Sequence, residues 1–344
     1  MRATLSAGDC GLVLTAKPDE AELWQRYATQ TGRADDLVVF SPESGHGFNF
    51  LEYEASRPGR GGGLTENIVD LFVTVMKVGR PTAGGSANDE FWDLALRQLL
   101  RNSVDLLRLV DEPVRLDHLI QVIASAPQSI TQLGDLDWKA TSLCYQLLTA
   151  AEDRVSSADD RADLAATAAY WLGEFARRDD RTRSNITLTF SNLADGFVRG
   201  QLRRLFCGET TITPEATHAG KILVIDLPLK EHHGLGRTAQ LIWKYLWQRA
   251  TEQRRSSQHR SVFLWADEAQ LFVTGRDAEF QSTARSACAA TIYLTQNISA
   301  YYSALGGRDG HSATDTLLGN LQTKVFHANG DAVTNEWVER LFAK

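Results

Sequence analysis

Short runs of β-branched and aliphatic residues, apolar at consecutive positions, punctuate the chain at residues 11–15, 36–40, 222–225, 262–265, 291–294 and 323–326. An exposed antiparallel strand alternates apolar and polar positions. These runs do not, so they predict strands buried on both faces, and the helical patterns separating several of them predict a parallel α/β sheet. Between about Ile68 and Leu205 the pattern changes to helical spacing alone. Phe91, Ala95 and Leu99 recur at four-residue steps, and Leu164, Ala168, Trp171 and Phe175 at three or four. The economical reading is an all-helical insertion in an α/β domain. The run Arg57-Pro58-Gly59-Arg60-Gly61-Gly62-Gly63 marks its entry and suits a mobile linker. Its glycines invite comparison with a phosphate-binding loop, but the Gly-Lys-Ser/Thr ending that grips phosphate and magnesium is missing, which favours the linker.

Composition narrows the class. The 344 residues are 43% hydrophobic and 23% charged, enough for a sizeable core or for two compact units. A net charge of -7 argues against a surface basic all over, yet leaves room for a local basic pore or loop. Cys10, Cys144, Cys207 and Cys288 lie far apart in no zinc-binding spacing, which points to a reducing, cytosolic setting. No stretch approaches the roughly 20 apolar residues that span a bilayer, so a membrane anchor is expected only outside these residues.

The strongest chemical signal is Val262-Phe263-Leu264-Trp265-Ala266-Asp267-Glu268, an apolar strand ending in adjacent carboxylates. In P-loop motors the first carboxylate of such a Walker B pair holds magnesium and the second orients and deprotonates the attacking water. A solvated turn is the plain alternative. The strand at 291–294 runs into Thr295-Gln296-Asn297, and parallel strands bring their carboxyl ends to one sheet edge, so Gln296 and Asn297 are expected near Asp267 and Glu268. An amide there can sense a γ-phosphate, or the pair can cap the next helix. Arg285, on the connection between these strands, reads either as an arginine finger acting on a neighbouring subunit or as a surface charge. Lys17 and Ser41-Pro42 belong to the same edge. Glu231-His232-His233 reads as a surface loop rather than a metal site, and the basic run at residues 254–260 as a solvated connection rather than a contact to DNA phosphates.

Together these residues resemble the TraG/TraD family of type IV coupling proteins, hexameric RecA-like ATPases of bacterial conjugation, over nearly the whole chain. Residues 11–20, Gly-Leu-Val-Leu-Thr-Ala-Lys-Pro-Asp-Glu, are similar to the family's second-strand motif, Asp-Pro-Lys-Gly-Glu, with Ala16 ahead of Lys17. Asn88-Asp89-Glu90-Phe91-Trp92 with Leu99-Leu100 resembles the segment that opens the family's all-α domain. Asp267-Glu268-Ala269 resembles its Walker B, Gln296-Asn297 its Thr-Gln element, Arg285 its proposed finger, and residues 318–334 its late strand and helix.

The resemblance implies a RecA-like P-loop core formed by residues 1–67 and 206–344, with an all-α domain at 68–205. It implies ATP and Mg2+ as cofactors. Asp267 would bind the metal through water, Glu268 would be the base, Gln296 the sensor and Arg285 the finger, with Asn297 and Lys17 also at the nucleotide. Single-stranded DNA, a relaxase and a type IV secretion channel are the implied partners, at the cytoplasmic face of the bacterial inner membrane and in a homo-hexamer. The family's Walker A loop precedes the strand that here begins at Gly11, so that loop and the membrane helices are expected upstream of Met1. The alternatives are another RecA-like translocase of the HerA or FtsK group, and a non-catalytic module that binds relaxosome partners.

Overall fold

The computed structural model describes residues 1–58, 61–77, 87–254, 260–306 and 310–343. The chain folds into two compact units, one built mainly from residues 1–46 and 212–344, the other from 47–76 and 85–211.

The first unit is an α/β domain on five parallel strands: β1 (Cys10–Leu14), β2 (Leu37–Phe40), β3 (Ile222–Ile225), β4 (Val262–Ala266) and β5 (Ala289–Tyr293), in the order β2-β3-β1-β4-β5. The three central strands carry the continuous apolar runs because helices cover both faces. On one face, helix Glu20–Gln30 drives Trp24 against Val13, Ile222, Val224 and Phe263, with its indole stacked 5.7 Å from Phe263 and edge-on to Trp265 at 5.6 Å. Truncating so buried a tryptophan to alanine costs about 3–5 kcal/mol. On the other face lies the long helix Leu229–Glu252, whose buried Trp243 meets Phe40 edge-on at 5.0 Å.

Register decides where the chemistry goes. Phe40 pairs with Ile225, Ile225 with Leu14, Leu14 with Ala266, and Ala266 with Tyr293. The strands therefore end in one row, and the residues that follow each strand share the carboxyl edge of the sheet. Gln240 locks that edge from below: fully buried, it accepts from Thr15 N at 2.7 Å and donates to Thr15 O and Leu227 O at 2.8 Å each.

The expected strand at residues 323–326 does not form. That segment takes no regular secondary structure, and Val325 and Phe326 are exposed, the Phe326 ring resting 6.3 Å from that of Trp337. An apolar β-branched run states a preference, but a strand needs a neighbour to receive its backbone groups. At 291–294 the strand starts two residues earlier and Leu294 falls outside it.

The second unit contains helices and no strand among its described residues; they include Thr65–Lys77, Ala87–Arg108, Leu143–Arg154 and Asp180–Ala194. Phe50 is its aromatic hub, edge-on to Phe72, Phe197 and Phe206 at 6.1–6.5 Å. Leu164, Trp171 and Phe175 are buried as their spacing predicts, the last two on a π-helical stretch, Ala169–Phe175. Ala95 and Leu99 are buried while Phe91 is exposed. The described part of the glycine run is a packed turn rather than a mobile linker. Gly63 N donates to Glu54 O and the Asn67 side chain to Gly61 O, and a Cβ on Gly62 would stand 2.2 Å from Arg57 O. Beside it Arg57 and Glu54 form a buried ion pair at 3.0 Å. The Gly63 amide is thus committed inside the turn; Gly59 and Arg60 lie outside the described residues.

Candidate functional site

At the end of β4 the chain turns through Glu268 in the left-handed region, φ 50° and ψ 47°. That conformation is uncommon for a residue with a Cβ, and its cost is of order 1 kcal/mol. It is held by Asp267, whose Oδ1 accepts from Glu268 N at 3.0 Å, and by Ala269 N, which donates to Leu294 O at 2.8 Å. The turn aims both carboxylates at residues that follow the flanking strands.

From the β1 side, Lys17 Nζ lies 3.0 Å from Asp267 Oδ2 and 3.8 Å from Glu268 Oε1. The hydrogen bond to Asp267, strengthened by both carboxylate charges, raises the Lys17 pKa above its ordinary value. Lys17 and Asp267 are each more than a third exposed, so the pair adds little stability. Its consequence is charge balance at the edge. From the β5 side, Gln296 Nε2 donates to Glu268 Oε1 at 2.7 Å. Gln270 Nε2 donates to Glu268 Oε2, also at 2.7 Å, and is itself steadied by Thr295 Oγ1 at 2.9 Å. Both carboxylate oxygens of Glu268 are therefore oriented by amides.

Glu20 is the functional candidate that sequence spacing alone does not single out. It opens helix Glu20–Gln30 and turns its carboxylate back onto Ala16 N and Lys17 N, at 3.0 and 3.3 Å. Burial, reinforced by the Asp267 charge, pushes its pKa up to about 7, against the opposing pull of those amides and of Lys17. The available signal was an acidic residue in the first turn of a helix three residues after Lys17, a back-capping arrangement.

The remaining sequence candidates divide. The Asn297 side chain is occupied as the N-cap of helix Ile298–Leu305, accepting from Ala300 N at 2.8 Å. Arg285 lies on the turn Ala284–Ala287, exposed, just before β5 begins. It is therefore at the amino edge of the sheet, a strand length of roughly 15 Å from its own Asp267. Beyond β2, Ser44 Oγ accepts from Ser41 N at 3.2 Å, closing the Ser41-Pro42 turn. His233 sits at a break in helix Leu229–Glu252, and no group of three metal-ligating side chains occurs among the described residues. Most of the basic run at 254–260 lies outside the described residues.

A magnesium ion would find hard oxygen donors in Asp267 and Glu268. The donor set fits the metal named by the Walker B reading. Among the described residues, no helix is long and apolar enough to cross a membrane.

No family model and no curated protein sequence matches this chain. Solved structures do. The bacterial conjugative coupling protein TrwB, in its unbound monoclinic form, superposes with a TM-score of 0.55 at 16% identity, over 93% of this chain and 61% of that one. TrwB bound to a non-hydrolysable GTP analogue gives 0.51 at 14% identity over 92% and 69%, and TrwB with ADP and Mg2+ gives 0.50 at 14% over 92% and 70%. This chain thus spans less than two thirds of the length of the first of these. With a parallel sheet and, between its second and third strands in sequence, a helical unit, the chain has the fold of the conjugative coupling protein TrwB.

Proposed function

We propose that this chain is part of the motor of a conjugative coupling protein, which uses ATP hydrolysis to move single-stranded DNA and an attached relaxase towards a type IV secretion channel. The observation that carries the reading is the carboxyl edge itself: Asp267 and Glu268 are gathered by Lys17 from one flanking strand and Gln296 from the other. TrwB, which has this fold, has been seen with a GTP analogue and with ADP and Mg2+.

In this reading Asp267 would hold Mg2+ through water, and the ion would supply charge neutralisation to the nucleotide phosphates. Glu268, oriented through both oxygens, accepts a proton from the attacking water. Gln296, bonded to the Glu268 carboxylate and set just past β5, would report the state of the nucleotide to that strand. Lys17 balances the two carboxylates, and its ammonium group would also suit phosphate oxygens brought to this edge. Arg285, at the opposite edge from its own Asp267, can serve only a neighbour's site, which accords with a ring of subunits at the inner membrane.

The test is ATP hydrolysis by the protein in its natural length, with and without single-stranded DNA. Glu268→Gln is expected to lower kcat by about 10²- to 10⁴-fold while nucleotide still binds, and Asp267→Asn to raise the Mg2+ requirement. Hydrolysis that is indifferent to Glu268→Gln would sink the assignment. Absence of turnover with DNA binding intact would favour a non-catalytic binding module instead.

A further inference from the structure

Helix Leu229–Glu252 breaks at His233, where φ is 49° and ψ is -133°, and then packs hard onto the sheet. A Cβ on Gly236 would stand 2.6 Å from Leu227 O, so only glycine allows the helix this approach. The next residue is Arg237. Its Nε donates to Leu271 O at 2.6 Å, five residues past the end of β4, and Gln240 one turn later ties the same helix to Thr15 and Leu227. Arg237 is therefore fixed, half-buried, at the carboxyl edge of the sheet, where open α/β folds take their ligands.

Its charge is unanswered. Lys244, two turns along the same helix, donates to the next carbonyl, Phe272 O, at 2.6 Å, but Asp277 neutralises it. Arg33, Arg57 and Arg276 are each met by a carboxylate, Asp36, Glu54 and Glu252 respectively. Arg237 meets none among the described residues, and burial lowers its pKa with no acid opposing the shift. The chain has 43 acidic and 36 basic residues, so this is no shortage of carboxylates. One of five guanidinium donors is used, and the remaining fork matches a pair of oxyanion oxygens.

We infer that Arg237 is an anion-binding residue that receives a phosphate group, from either a nucleic-acid backbone or the phosphate chain of a nucleotide. The choice of phosphate rests on the proposed function. The anion site itself does not, and binding tests it without any turnover.

The experiment titrates the chain with a fluorescein-labelled thymidine 30-mer across a salt series, and separately with Mg-ATP. Arg237→Gln is expected to weaken one probe about tenfold. If the source is a strand, its salt slope falls by about 0.7. Arg237→Lys, which keeps a point charge but loses the fork, should fall between, and carries the test if the Gln variant does not fold. Arg26→Gln removes the same charge from an exposed helix position and should change neither probe. Loss confined to the oligonucleotide assigns a backbone phosphate, and loss confined to Mg-ATP assigns the nucleotide. Equal binding by both Arg237 variants and the parent, or no binding of either probe by the parent, overturns the inference. Both probes report binding without turnover, so a failed hydrolysis assignment and a failed Arg237 site give different results.

Discussion

The buried pair Lys244–Asp277 offers the sharpest test of how the segment after Glu268 is held. Asp277 is fully buried. Its Oδ2 accepts from Lys244 Nζ at 2.5 Å, Thr274 N at 2.6 Å and Thr274 Oγ1 at 3.1 Å, and its Oδ1 from Gln248 at 2.8 Å and Tyr293 OH at 2.9 Å. Burial works against the carboxylate, but Lys244 and the other donors outweigh it and hold the Asp277 pKa below its ordinary value. Burial lowers Lys244, with Asp277 opposing.

The two partners are unequally supported, so their removal should not cost the same. In Lys244→Met the aspartate keeps four donors, and the loss sits near the low end for breaking a buried pair, about 3 kcal/mol. In Asp277→Leu the ammonium retains only Phe272 O, while the Tyr293 hydroxyl, the Gln248 amide and Thr274 N lose their acceptor. That loss is about 5 kcal/mol or more, comparable with the whole stability of many domains. The double variant removes both charges and leaves only neutral orphans, at about 3 kcal/mol, well short of the sum of the singles. Urea-dependent hydrogen exchange at β4 amides reads the unit that contains the pair. Asp277→Leu no worse than Lys244→Met, or a double variant as costly as the sum, would refute the reasoning. There is an acid signature too: stability that Asp277 contributes above its unfolded pKa is lost as pH falls through its depressed folded pKa, so Lys244→Met should move acid unfolding to higher pH.

Two further outcomes follow from single residues. Gly11→Ala places a Cβ 2.0 Å from Phe263 O, backbone against backbone in the sheet centre, and should cost more than about 3 kcal/mol; a melting temperature within a few degrees of the parent would contradict it. Glu20, raised to about 7 in the fold from an unfolded value near 4.5, binds more protons folded than unfolded between those values. The parent should lose stability as pH climbs through that window, and Glu20→Gln should flatten the slope. A parent-to-variant difference that stays constant from pH 5 to pH 8 would exclude this effect.

Much of the sheet was legible because burial on both faces leaves a mark in one dimension: apolar runs without alternation at 11–15, 222–225 and 262–265 became central parallel strands. The same mark misled at 323–326, where preference existed and no partner strand did. The Asp267-Glu268 pair was visible because strand and carboxylates are contiguous. Asn297 was ambiguous because one amide chemistry serves both a cap and a sensor, and the Ala300 amide took it for the cap.

Contacts between distant residues were beyond the sequence. Lys17 meets Asp267 across 250 positions only because β1 and β4 are neighbours in register, and Gln240 reaches Thr15 across 225 only because the long helix crosses that edge. The raised pKa of Glu20 comes first from burial, with the charge of the distant Asp267 adding to it, which no local pattern encodes. Arg237 reads in the sequence as one more surface arginine; its unmatched charge exists only once folding has placed Leu271 O beside it and the carboxylates elsewhere. Local periodicity sets which segments become strands and helices, since it depends on side chains a few residues apart. Charge balance and proton affinity depend on what the fold packs around each group, and those neighbours are chosen by strand order and register.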